Sequence, residues 1–484
     1  MTRVDRREFL GTLGAMGLSA FLGSRSVLAQ AAEKRLNFLF ILIDDLGWRD
    51  VTCYDSEFYE TPNIDKLAAS GMRFTDAYAA CPVCSPTRAS ILAGKYPATL
   101  NLTDWIPGHP KPWARLKPPN FNQELPLDEV TIAEALKPAG YVSAAIGKWH
   151  LGKEEFYPEK QGFDLNVGGT HKGATSSYFS PYKIETLPDG PEGEHLPHRL
   201  ADEACKFITT NKEKPFFLYL SYYSVHTPLQ STDALIEKYT KKAEAGPDKA
   251  QGNPKYAGMV QSMDESVGKV LAKLNKLGIA DRTVVFFMSD NGGLAGVTNN
   301  APLRAGKGTP YEGGVREPMI IRWPGVVKPG SVCSVPVTSV DFYPTILEMA
   351  SVKGDPKHEL EGVSLVPLLK QTGGIEREAI YWHYPHYHRT TPCGAVRKGD
   401  WKLIEFYEDG KLELYNLKDD ISEATDLSAK MPEKTSELHG LLKAWREKVN
   451  AQMPTPNPDY DPARADERPQ QQKKRGKVKA QIGK

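Results

Sequence analysis

Four largely apolar stretches, each as long as one β-strand and each stopped by polar residues, constrain this chain more than any other feature. They are Leu36–Ile43 before Asp44-Asp45, Tyr141–Ile146 before Gly147-Lys148-Trp149-His150, Phe216–Tyr223 before Val225-His226, and Val284–Met288 before Ser289-Asp290-Asn291. An apolar run without alternation marks a strand covered on both faces, the habit of parallel sheets. Helix patterns lie between the runs. Thr61–Gly71 carries a cap residue, a first-turn Pro62 and a terminating glycine. Thr131–Leu136 and Leu200–Thr209 are shorter, and Lys255–Leu277 puts Met259, Met263, Val267, Val270, Leu271 and Leu274 on one face. Alternating strands and helices predict an α/β fold, a large mainly parallel or mixed sheet sandwiched by helices. Ligands of such sheets gather beyond the carboxyl ends of the strands. All four runs place Asp, Asn, Lys or His at that edge, which predicts one shared site.

The later part of the chain reads differently. Arg377–Tyr384, Gly394–Tyr407 and Lys411–Asn416 are short, aromatic and alternating, with an Asp409-Gly410 turn between the last two. Pro432–Met453 has helical periodicity, so a small antiparallel sheet with one packed helix is expected over residues 376–455. The main α/β domain is expected over residues 32–375. Beyond Pro454, Pro and Gln accumulate, and residues 469–484 hold six basic and no acidic residues, so 456–484 is expected to be a disordered basic tail. A length of 484 residues, 40% hydrophobic and 25% charged, is globular and excludes a disordered chain. With 61 Lys and Arg against 60 Asp and Glu, no nucleic-acid partner is expected.

At the N-terminus, Asp5-Arg6-Arg7-Glu8-Phe9-Leu10 precedes a small-residue apolar run to Leu22 and a cleavage-like Ala29-Gln30-Ala31. Residues 1–31 therefore read as a twin-arginine export signal, which makes the twin-arginine translocase a partner and the periplasm or the exterior the destination. An uncleaved anchor is the competing reading, although about 13 apolar residues are short for a bilayer. The six cysteines, Cys53, Cys81, Cys84, Cys205, Cys333 and Cys393, show no repeated spacing.

Cys84-Ser85-Pro86-Thr87-Arg88, followed by a helical Ala89–Gly94, resembles the C-x-P-x-R signature of the sulfatase family, in the alkaline phosphatase superfamily. Pro86 and Arg88 fix the register on Cys84. The resemblance implies oxidation of Cys84 to formylglycine (3-oxoalanine) by a formylglycine-generating or other sulfatase-maturating enzyme. A hydrated aldehyde suits the task, because one oxygen attacks sulfur while the second hydroxyl later collapses and expels sulfate. The helix following Cys84 would also turn backbone N–H groups and its positive dipole end towards the anion. Cys81-Pro82-Val83-Cys84 is a redox C-x-x-C pattern as well, but that reading leaves Pro86 and Arg88 unexplained.

The resemblance extends across most of residues 36–455. It implies that Asp44, Asp45, Asp290 and Asn291, with residue 84, hold one Ca²⁺ per chain, in keeping with their hard oxygen donors. Arg88 matches the family arginine that bonds the formylglycine hydroxyl and the ligand network. Lys148 and His150 match the sulfate-binding lysine and the histidine that orients or deprotonates the diol, and strand alternation would put both on one face. His226 and Lys307 match further sulfate contacts, either of which would serve as general acid. Thr87 stands where the family commonly has Ser, which bears on modification rather than mechanism. Gly306-Lys307-Gly308 fails the P-loop pattern, since Ala301 and Gly308 occupy its Gly and Ser/Thr positions. Trp382-His383-Tyr384-Pro385-His386-Tyr387-His388-Arg389 fits no zinc spacing and reads as a wall of the substrate pocket, as does Thr170-His171-Lys172.

The implied activity is a sulfuric ester hydrolase of arylsulfatase type, acting on a sulfated carbohydrate or an aryl sulfate. Alternatives are a phosphate or phosphonate monoester hydrolase on the same fold, a non-catalytic binder of sulfated glycans, and a thiol–disulfide exchanger.

Overall fold

The computed structural model describes residues 35–246, 251–465 and 467, so the expected export signal 1–31 and the basic stretch 469–484 lie outside the described residues. Among the described residues no helix is long and apolar enough to cross a membrane.

Eight strands form the main sheet: β1 (Asn37–Ile43), β2 (Met72–Phe74), β3 (Val142–Gly147), β4 (Leu165–Val167), β5 (Phe216–Ser221), β6 (Thr283–Ser289), β7 (Met319–Arg322) and β8 (Ser331–Cys333). Their order is β8-β2-β7-β6-β1-β5-β3-β4. Only β7 runs against the others, pairing antiparallel with β2 and β6. The four apolar runs read from sequence are the four central strands, β6-β1-β5-β3.

Their composition follows from what covers them. Along β1, Leu39, Ile41 and Ile43 enter one core, while Phe38, Phe40 and Leu42 enter the other. A solvent-facing polar residue has no place on such a strand, and each buried Leu, Ile or Phe stabilises by about 1.5–3 kcal/mol. The first core is closed by α1 (Pro62–Ser70), α3 (Leu196–Thr210), α4 (Asp233–Ala245) and α5 (Pro254–Lys276), through Leu67, Leu200, Tyr239, Met259, Met263 and Val267. The second is closed by α2 (Cys84–Ala93) and α6 (Phe342–Ala350), through Ile91, Leu92, Phe342 and Ile346. The start of α1 departs from its sequence pattern. Thr61 makes no capping bond there. Instead Asp264, on α5, accepts from the Asn63 and Ile64 amides at 3.0 and 2.8 Å, a carboxylate at the positive end of the helix dipole.

A second sheet, β9 (Ile380–Tyr384), β10 (Cys393–Lys398), β11 (Trp401–Phe406) and β12 (Leu412–Asn416), is antiparallel throughout and packs one face on α7 (Pro432–Lys448). Gly394–Tyr407, expected as one stretch, is two strands, because Gly399 at φ 58° turns the chain between Lys398 and Trp401. The other face carries Trp382 and Ile404 back onto Tyr78 and Val315 of the main domain. A buried clamp reinforces that seam: Lys402 Nζ lies 2.8 Å from Glu312 and 2.9 Å from Glu423.

Residues 455–465 correct the expectation of disorder from residue 456. Thr455-Pro456 pairs with Leu116-Lys117, Asn457 donates to the Pro112 and Ala114 carbonyls at 2.7 Å each, and Arg464 lies 3.9 Å over the Trp113 ring. Contacts with a loop some 340 positions earlier supply what composition lacks.

Candidate active site

The carboxyl ends of four adjacent strands meet in register, with Ile43 opposite Ser289, Leu42 opposite Ser221, and Gly147 opposite Ser221. The residues just beyond therefore converge. The Asp290 amide donates to the Ile43 carbonyl at 3.0 Å, and the Val225 amide to the Asp44 carbonyl at 2.7 Å. Asp45 and His150 both hold left-handed backbone, φ 64° and 58°, where non-glycine residues are uncommon and function often concentrates.

Lys148 and His150 share the site, but not through strand alternation. The strand stops at Gly147, whose φ is 99° and where an added Cβ would lie 1.9 Å from the Ser221 carbonyl oxygen. Only glycine fits that approach. The Lys148 and His150 amides then bond separately to the Ser221 and Thr170 carbonyls, at 2.7 and 2.9 Å.

Cys84 is the first residue of α2, with no side chain capping that end, and is 3% exposed. Its Sγ lies 3.4 Å from His150 Nδ1, while His150 Nε2 lies 2.6 Å from the Ile106 carbonyl oxygen. One turn on, Arg88 is fully buried; its Nε and Nη2 donate to Asp290 at 3.0 and 2.7 Å, and Nη2 is 3.8 Å from Asp44. Its Nη1 donates to the Lys148 carbonyl and to the Ser221 hydroxyl. Burial opposes the guanidinium charge, but Asp290 and Asp44 outweigh it and raise the pKa.

Asp44, Asp45, Asp290 and Asn291 are all buried. Lys148 Nζ lies 2.7 Å from Asp44, Lys307 Nζ 2.5 Å from Asp45, and His226 Nε2 3.7 Å from Asp45. Burial, together with Asp290 and Asp45, raises the Asp44 pKa well above the usual carboxylate value despite Lys148. Asp45 goes the other way: Lys307 and His226 overcome its burial and lower it. Burial works against Lys307, but Asp45 raises its pKa, and burial pushes His226 down to about 3. Two buried oxygens in this group, Asp44 Oδ1 and Asn291 Oδ1, have no hydrogen-bond partner. Donor atoms of Asp44, Asp45 and His226 also lie within 4.8 Å of one another. Crowded carboxylates with orphaned oxygen acceptors are what a hard dication requires, so these residues fit the Ca²⁺ that the sequence implies.

Cys84, Asp45, His150, His226 and Lys307 open onto one pocket of about 1030 Å³. Arg88, Lys148 and Asp290 stand behind that wall, holding its members. The rim adds residues that sequence reading missed, chiefly Trp105, His109 and Lys111. They belong to a Trp-Ile-Pro-Gly-His-Pro-Lys run whose loop composition was the only available signal. The expected wall at 382–389 is half present. His388 and Arg389 line the pocket, whereas His386 is buried against Thr103 at 2.8 Å and His383 against Tyr407 and the Gln452 carbonyl. His171 and Lys172 do line it.

All six cysteines are free. Cys81 sits in an apolar cluster with Val83, Tyr384 and Cys393, and burial pushes its thiol well up. A buried, hard-to-ionise thiol is inert, which removes the physical basis of disulfide exchange at this pair.

Fold and site together define a hydrolase of anionic esters on the alkaline-phosphatase-like architecture. A family model described as Sulfatase matches residues 36–352, and one described as N-sulphoglucosamine sulphohydrolase, C-terminal, matches residues 306–450. A sulfatase of Formosa agariphila is 34% identical over 519 aligned residues, covering 90% of this chain and 92% of its own. Human N-acetylgalactosamine-6-sulfatase is 33% identical, covering 73% and 69%. The crystal structure of Ps i-CgsB in complex with k-i-k-neocarrahexaose aligns with a TM-score of 0.74 at 31% identity, over 88% of this chain and 94% of that one. The chain belongs to the sulfatase family and is a sulfuric ester hydrolase.

Proposed function

We propose that this sulfatase removes sulfate from carbohydrates, with residue 84 matured to formylglycine and one Ca²⁺ held by Asp44, Asp45, Asp290 and Asn291. The observation that carries the reading is the 3.4 Å approach of His150 Nδ1 to Cys84 Sγ inside the pocket shared with Asp45, His226 and Lys307. Formylglycine at residue 84, once hydrated, would supply a hydroxyl nucleophile and a second hydroxyl that lets sulfate leave. A hard dication held by Asp44, Asp45, Asp290 and Asn291 would supply positive charge to offset the sulfate.

The chain's own residues do the rest. His150 keeps a lone pair on Nδ1, because Nε2 gives its proton to the Ile106 carbonyl, and so accepts the proton of the attacking hydroxyl. The amides at the start of α2 and the ammonium group of Lys307 stabilise the sulfate oxygens, while Lys148, behind the wall, holds Asp44 at 2.7 Å. Arg88 holds Asp290 and Asp44 in place. His226 donates from Nδ1 to the Thr227 carbonyl at 2.7 Å, which leaves Nε2 bare, so Lys307 is the group that brings a proton to the leaving oxygen.

The carbohydrate substrate is supported by the relatives, one named N-acetylgalactosamine-6-sulfatase and one solved in complex with k-i-k-neocarrahexaose. The twin arginines at Arg6-Arg7 support export to the periplasm or beyond, after maturation by a formylglycine-generating enzyme. Mass spectrometry of the peptide carrying residue 84 tests the nucleophile, and an untouched thiol in active enzyme would overturn it. Rates on p-nitrophenyl sulfate and p-nitrophenyl phosphate test the ester, with the sulfate expected to react faster.

A further inference from the structure

Two cations at the mouth of the pocket have neither an ion pair nor a hydrogen bond among the described residues. Of the lining residues, only Asp45 and Glu467 are acidic. Asp45 is taken by Lys307 at 2.5 Å, and Glu467 by Arg464 at 2.9 Å. Lys111 donates to the Ala465 carbonyl at 2.8 Å and lies 5.1 Å over the Tyr387 ring. Lys172 and Arg389 remain, both exposed, and among the described residues neither side chain has a hydrogen bond or an ion pair. The chain as a whole is almost neutral, at +1. This surplus is therefore local to the pocket.

Their placement is tied to the reacting centre. Lys172 precedes Gly173, where an added Cβ would lie 2.4 Å from the His150 ring. Arg389 follows His388, whose Nδ1 would lie 1.9 Å from a Cβ added at Gly308, next to Lys307. One cation thus stands on the His150 side and the other on the Lys307 side. His109 and His388 do not add to the charge, since burial lowers both, His388 to about 3. The cavity of about 1030 Å³ is at the upper end of small-ligand pockets and far larger than one sulfate. The sulfate to be cleaved is met deeper in, by Lys307 and the start of α2 at Cys84.

Resting on the sulfatase reading above, we infer that the substrate carries at least one anionic group, sulfate or carboxylate, beyond the ester that is hydrolysed, and that Lys172 and Arg389 receive it. An exposed cation pairs weakly with one anion and usefully with several, so the selectivity falls on polyanions.

The test is inhibition of p-nitrophenyl sulfate hydrolysis by sucrose octasulfate, a polyanion, and by a monosulfated galactose. Sucrose octasulfate should inhibit with the lower Ki, and added NaCl should weaken that inhibition. In the Lys172→Ala/Arg389→Ala variant its Ki should rise about ten-fold more than the KM for p-nitrophenyl sulfate does. Lys357→Ala, an exposed control away from the pocket, should leave that ratio at the parent value. Equal changes in Ki and KM, or no change in either, would overturn the inference while leaving the sulfatase reading intact. Matured wild-type enzyme that hydrolyses no sulfate ester would overturn both.

Discussion

His150 Nδ1 lies 3.4 Å from Cys84 Sγ while its Nε2 lies 2.6 Å from the carbonyl oxygen of Ile106. A carbonyl only accepts, so the ring proton sits on Nε2 and the lone pair on Nδ1 faces residue 84. Burial, reinforced by Lys148, holds the imidazole pKa well below its usual value and keeps that lone pair free. The Ile106 loop thereby sets the tautomer of the histidine beside Cys84, the proposed nucleophile.

Cys84→Ala should reduce p-nitrophenyl sulfate turnover to background without loss of fold, because among the described residues the side chain's one hydrogen bond is to His150. Cys81→Ser should keep its activity within a few-fold and lose about 1–2 kcal/mol of stability, since a hydroxyl enters an apolar cluster. Retained turnover in the first variant, or a matching loss in the second, would unseat Cys84 as the nucleophile.

His150→Ala should lower kcat by about 10²–10³ with a smaller change in KM, the size expected of a positioned base. Steady-state kinetics on the matured enzyme measure both. A rise in KM alone would show that His150 only binds substrate.

Removal of metal by a chelator should lower the melting temperature as well as the rate, with both restored by Ca²⁺. A ligand at 100 times its Kd stabilises by about 3 kcal/mol. Asp290→Ala should abolish the calcium-dependent shift in melting temperature, a readout independent of turnover. A variant that still responds to Ca²⁺ would place the ion elsewhere.

Lys402→Met should destabilise by about 3–5 kcal/mol, because Glu423 would be left a buried carboxylate with no cation and Glu312 would keep only Arg316, at 3.0 Å. Urea denaturation gives the value, and a loss below about 1 kcal/mol would mean that water or a shifted Arg316 replaces the ammonium.

Acid should weaken the fold through His383. Its Nε2 donates to the Gln452 carbonyl at 3.0 Å, and its Nδ1 meets the Tyr407 hydroxyl at 2.9 Å. Burial pushes its pKa down to about 4. An unfolded histidine titrates near 6.5, so below that pH the unfolded chain binds a proton that the folded chain refuses. The contribution is whole above about pH 6.5 and shrinks as pH falls towards 4, by about 3 kcal/mol at the limit. His383→Gln should flatten this part of the stability curve, and a variant as acid-sensitive as the parent would assign the effect to another group.

Local pattern accounts for much of what could be read in advance. The central strands were legible because a strand covered on both faces must be apolar along its whole length, and the site residues because a strand end must be polar. Cys84-Ser85-Pro86-Thr87-Arg88 marked the proposed nucleophile because Pro86 and Arg88 stand at set spacings from it. Asp264 capping α1 from another helix was not legible, nor was the Trp105–Lys111 rim, nor the ordering of residues 455–465 on a distant loop. Those depend on which segments meet, and nothing in a segment's own periodicity records its neighbour.

The sequence by itself determined the layered α/β architecture and the family, and it singled out Cys84 as the proposed nucleophile. Tertiary structure alone decided that His150 turns a bare nitrogen to Cys84 and that Lys172 and Arg389 are left without partners. The reason is physical: periodicity and propensity act over one turn or one strand, whereas a tautomer or an uncompensated charge depends on every group within a few ångströms, wherever it lies in the chain.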